Sequence, residues 1–91
     1  MNVHAYRFTA DDETAITQRV TDTLREWASH WKRAHGAEPL RLFAHDWDAL
    51  HRLAGFAIGC GAYDLRDCEQ EWIAATVRHC AVAAGVQGVA Q

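Results

Sequence analysis

Apolar residues recur at spacings of four, four, three and four along Ile16, Val20, Leu24, Trp27 and Trp31. Arg19, Asp22, Arg25, Glu26, Ser29, Lys32 and Arg33 fill the other wheel positions. This is the 3.6-residue period of an amphipathic helix. Thr9 stands at its start as an N-cap, with Asp12 three residues on in the capping-box position. Asp11, Asp12 and Glu13 suit the positive end of the helix dipole. Gly36 ends the pattern.

Two flanking segments have a different rhythm. From Asn2 to Phe8 the chain alternates, with Val3, Ala5 and Arg7 on one side and His4, Tyr6 and Phe8 on the other. Alternation with aromatic content predicts a strand. After the turn Gly36-Ala37-Glu38-Pro39, Leu40-Arg41-Leu42-Phe43 reads as a second short strand, beginning just past the proline. A helical reading competes for these four residues. A strand–helix–strand spacing of this length fits a right-handed crossover between parallel strands.

Asp46 reads as the cap of a second helix running to about Gly59. Trp47, Leu50, Leu53, Ala54, Ala57 and Ile58 share one face, and Asp48 and Arg52 are spaced to pair at i,i+4. Beyond Arg52 this helix carries no charge, and Gly55 and Gly59 offer a place for close backbone approach. Gly59-Cys60-Gly61-Ala62 closes it. A third helix starts at Asp64 or Asp67, has Ile73, Val77, Cys80 and Ala84 as its stripe, and stops at Gly85. Residues 86–91 read as a frayed, flexible tail, with a weak strand signal at 86–89. The predicted architecture is α+β: three helices on a two- to three-stranded sheet, in the order β-α-β-α-α. At 91 residues it forms a single domain.

Composition narrows the function. Hydrophobic residues at 49% and charged residues at 23% are those of a folded domain. No run approaches the length of a membrane span, and the first residues lack the basic head and apolar run of a secretory signal. The cysteines are three in number, which argues against a disulfide framework and for a cytoplasmic setting. A net charge of −3 argues against nucleic acid as partner, since phosphate contacts call for a basic face. Arg25, Lys32 and Arg33 are the cations such a reading would use. Lys32 and Arg33 also suit a helix C-terminus.

The chemistry-bearing residues do not assemble into a recognisable set. Cys60, Cys68, His79 and Cys80 are suitable zinc ligands by type, but no two sit in a knuckle, and Cys80 lies on the core stripe. Asp48 and His51, three apart on one helix, can share a ligand or a proton, yet such a pair is common by chance. Cys60 lies at the helix end that disfavours a thiolate. Cys68 has the acidic neighbours Asp67, Glu69 and Glu71 rather than the cations that a reactive thiol needs. Gly59-Cys60-Gly61 lacks the lysine and hydroxyl residues of a phosphate loop. Ser29 is the sole serine, and no nucleophile elbow surrounds it. No cofactor and no catalytic residue is expected.

An apolar surplus remains. Trp72, Phe56 and Val82 lie off the core stripes of their helices, with His79 beside Trp72. Exposed aromatic residues of this kind are enriched in protein interfaces. The expected function is therefore a non-enzymatic protein-binding module of the adaptor, chaperone-like or inhibitor type. Trp72, Phe56, His79 and Val82 form its expected contact surface, and self-association is expected through a sheet edge or the charge-free end of the second helix. The metal- or thiol-dependent reading and the nucleic-acid reading are the alternatives.

Overall fold

The computed structural model describes residues 6–61 and 64–89. Three helices follow one another: α1 (Ala10–His35), α2 (Ala44–Phe56) and α3 (Asp67–Ala83). Each packs against the other two. Among the described residues there is no strand and no sheet, so the fold is all-α and the α+β expectation is corrected.

α1 forms as its pattern dictates. Thr9 Oγ1 accepts from Asp12 N–H at 3.1 Å, and Asp12 Oδ2 accepts from Thr9 N–H at 3.0 Å, a reciprocal cap. Ile16, Val20 and Leu24 are fully buried, while Trp27 and Trp31 flank the same core. Trp31 stacks on His35 and donates its indole N–H to the Glu38 carbonyl at 3.1 Å, closing the turn after Gly36. Gly36 ends the helix at φ 65°, a left-handed conformation that glycine adopts at little cost.

The expected strands fail for one physical reason. Alternation specifies an extended backbone with two faces, but a strand also needs a ladder partner. Residues 1–5 of the first expected strand lie outside the described residues. Residues 6–8 precede α1 without pairing, and the rings of Tyr6 and Phe8, two residues apart, both meet Trp72 edge-on. In the second expected strand, Leu40 is buried and Leu42 packs on the core, but no ladder forms. The region expected as a third strand touches it through one hydrogen bond, Gln87 N–H to the Leu40 carbonyl at 2.8 Å. Val86, assigned from sequence to the terminal segment, is buried. A single bond between these two segments anchors the chain end without making a sheet.

α2 begins three residues earlier than its pattern suggests, with Phe43 rather than Asp46 preceding it. Asp46 is not the residue preceding the helix but its third, and Oδ2 reaches back to accept from Phe43 N–H at 2.8 Å. The helix stops at Phe56, short of Gly59, because residues 57–60 turn back over its last turn. α3 buries Ile73, Val77 and Cys80 as expected, together with Ala81, whereas Ala84 is exposed.

One buried residue is charged. Glu69 is fully enclosed, among the largest side chains so placed. It is the third residue of α3, and Oε1 accepts from Arg66 N–H at 2.9 Å. Arg7 supplies the rest. Its guanidinium approaches the carboxylate through Nη2 at 2.6 Å and through Nε at 3.0 and 3.2 Å, and its own backbone N–H donates at 3.1 Å. Arg7 Nη2 also donates to the Asp64 carbonyl at 2.7 Å. This cluster fastens the segment before α1 to the start of α3, across 62 positions of sequence.

Candidate functional site

A concavity lies between α2 and α3. Its shape begins at Gly55, which is buried in the last turn of α2. Cys60 N–H donates to the Gly55 carbonyl at 2.9 Å, so the chain doubles back on the helix. A Cβ at position 55 would lie 2.9 Å from the Cys60 carbonyl oxygen and 3.8 Å from Leu65 Cδ1. The close approach expected at Gly55 is thus made by the chain's own backbone. Gly59 has open space around it and serves the turn instead, at φ 74°. The fold-back carries Cys60 and Leu65 to the mouth of the gap between the helices.

The resulting cavity holds about 290 Å³. Leu65, Ile73 and Gly55 form its apolar floor; Asp48, His51 and Arg52 stand along the α2 side, with Phe56 and Cys60 at one end and Gln70 on α3. Phe56 is 59% exposed, the most exposed large apolar residue among the described ones. A second concavity of about 290 Å³ continues along the same two helices, lined by Trp47, His51, Ala74, Arg78, Gly88 and Val89. The two concavities share His51 as a lining residue and lie side by side on the α2–α3 face, which is referred to below as the α2–α3 groove.

Within this groove the polar groups are uncommitted. Among the described residues no ion pair joins Asp48 to Arg52, although their spacing suits one, and no hydrogen bond joins Asp48 to His51. Arg52 and Arg78 form no ion pair within the described chain. Gln70 differs, donating to the Leu65 carbonyl at 3.2 Å and so bracing the groove wall.

The residues singled out from sequence are dispersed. Phe56 lines the groove; Trp72, His79 and Val82 do not. Trp72 is half-buried under Tyr6 and Phe8, with ring centroids 6.3 and 5.7 Å away. His79 is exposed and Val82 half-buried on α3. Cys60 and Cys68 are half-buried and Cys80 is buried, where Thr21 Oγ1 donates to its sulfur at 3.7 Å. Among the described residues no group of three or more histidine, cysteine or carboxylate side chains converges as a metal site would require. Arg25, Lys32 and Arg33 all lie exposed on α1. No helix of the described residues is long and apolar enough to cross a membrane.

Sequence reasoning found Phe56, Asp48 and His51 but not the groove that gathers them. Arg78 and Gln70 were missed, because nothing local marks the side of α3 that will face α2. Comparison with protein-family models, curated proteins and solved structures finds no match to this chain.

The fold-back makes the groove sensitive to one substitution. Gly55→Ala is expected to destabilise the protein by about 1–2 kcal/mol, because the atom in the way is backbone and cannot rotate aside. Urea denaturation measures this, and a variant as stable as the parent would show that residues 57–60 are not packed on α2.

Proposed function

We propose that the chain is a non-enzymatic protein-binding module that seats a segment of its partner in the α2–α3 groove. The carrying observation is the exposure of Phe56 beside a concavity lined by Leu65 and Ile73, where Asp48 and Arg52 form no ion pair within the described chain. Exposed aromatics beside a concave apolar surface are the usual anchors of protein recognition. Asp48 and His51 line the same groove without bonding each other, which suits contact better than proton transfer. A cytoplasmic setting goes with this reading, since all three cysteines are free thiols.

With no strand among the described residues, no sheet edge serves a dimer.

Panning a random peptide-display library against the folded chain tests the proposal. Enriched peptides, added to the isotopically labelled protein, are expected to shift the amide resonances of Arg52, Gly55, Phe56 and Ile73. Phe56→Ser is expected to weaken them at least tenfold, as loss of an aromatic anchor does. Because Phe56 is already largely exposed, this variant keeps the core intact. No enrichment, or shifts confined to another surface, would refute the assignment.

A further inference from the structure

We infer that the partner segment is acidic, a peptide with apolar anchors flanked by aspartate or glutamate; this rests on the groove being the binding surface. The argument is electrostatic. The chain as a whole carries a net charge of −3. The groove reverses that sign: Arg52 stands in its first half and Arg78 in its second, against the single carboxylate of Asp48, with His51 between. Both arginines are exposed at the groove and neither is neutralised by an ion pair within the described chain.

Their situation contrasts with Arg7, whose guanidinium is spent on Glu69 and the Asp64 carbonyl. An uncommitted guanidinium beside an apolar floor offers a planar pair of donors to a carboxylate. Two of them, one lining each of the two adjoining concavities, match carboxylates spread along one peptide. The apolar positions then take the anchors: Phe56, Leu65 and Ile73 at one end, Trp47 and Val89 at the other. A basic segment would meet Arg52 and Arg78 with like charge, and such juxtapositions are strongly disfavoured. A second copy of this chain is a less suitable occupant, since it brings Arg52 and Arg78 of its own against the same pair.

The composition of the peptides recovered by display tests this separately from the groove itself. Groove-binding peptides are expected to be enriched in Asp and Glu around an aromatic or leucine anchor. Their affinity is expected to fall roughly tenfold in the Arg52→Glu/Arg78→Glu variant, and to fall as salt is raised. Asn and Gln versions of the same peptides are expected to be indifferent to that variant. Both positions are exposed, so the variant is expected to fold, which circular dichroism checks. Peptides that bind at Phe56 without acidic bias, or whose affinity ignores the double reversal, would overturn the acidic partner while leaving the groove in place. Failure to recover any groove-binding peptide would remove the groove reading, and this inference with it. A chain that sediments as a dimer, and as a monomer once Phe56→Ser is introduced, would replace the acidic peptide by a second copy.

Discussion

Alanine in place of Glu69 is expected to destabilise the protein by about 3 kcal/mol, a large fraction of what a domain of this size possesses. The side chain is fully enclosed and receives the guanidinium of Arg7 together with the backbone N–H groups of Arg7 and Arg66. Removing the carboxylate orphans those two backbone donors, and buried donors without acceptors are costly. It also releases Arg7, and with it the segment carrying Tyr6 and Phe8 over Trp72. Chemical denaturation measures the loss.

The charge itself has a separate signature. The Arg7 guanidinium, above all, holds the Glu69 carboxyl down at about 2, below its ordinary 4.5; burial opposes this, and the Arg66 and Arg7 N–H groups assist it. A carboxyl lowered by folding contributes stability that is complete above pH 4.5 and fades as pH falls toward 2. Arg7 is 46% exposed, so water screens the pair, and the contribution at neutral pH is about 2 kcal/mol after that allowance. Glu69→Gln keeps an oxygen for the Arg66 N–H and lacks the ionisation. It is expected to be less damaging than alanine and to show a shallower fall in stability over this acid range. Identical acid profiles for parent and glutamine variant would show that the carboxylate is not what ties the two ends of the chain together.

That cluster also marks the limit of what was legible in the sequence. The stripes Ile16–Val20–Leu24 and Ile73–Val77–Cys80, and the Thr9 cap, are local patterns, and the structure carries them. Local periodicity reports which face of a helix is buried, not which helix it meets. The groove between α2 and α3 therefore stayed invisible although Phe56, Asp48 and His51 were each noticed. The strands failed because alternation up to Phe8 and an apolar run after Pro39 report at most extended chain, and an extended chain can dock by side chains alone. In both segments it does so: Tyr6 and Phe8 on Trp72, Leu40 and Leu42 on the core. Glu69 was read as an acidic neighbour of Cys68, because its partner lies 62 positions away and no spacing rule connects them. The cue within reach was its place three residues after Arg66. It was obscured because Asp64 and Asp67 were competing starts for the helix, and arginine is not a residue that announces a cap.

Truncating Leu50 to alanine is expected to cost about 2–5 kcal/mol, the range for deleting most of a large aliphatic side chain from a closed core. Leu50 is fully buried on α2, the helix that packs on both α1 and α3. Stability of roughly 0.05–0.15 kcal/mol per residue leaves a chain of 91 residues little margin against such a loss. Collapse around the space is hindered from both sides, since Ile16, Leu24 and Ile73 are themselves enclosed and belong to three-helix packing that α2 completes. The effect must also reach the groove, because α2 supplies one wall of it. Leu50→Met, which nearly conserves volume, is expected to cost less than about 1.5 kcal/mol. Urea midpoints for the two variants separate packing from mere hydrophobicity. A Leu50→Ala protein that unfolds with the parent would mean that α2 is not seated on the α1–α3 pair, and a groove whose wall is unseated has no fixed shape with which to select a partner.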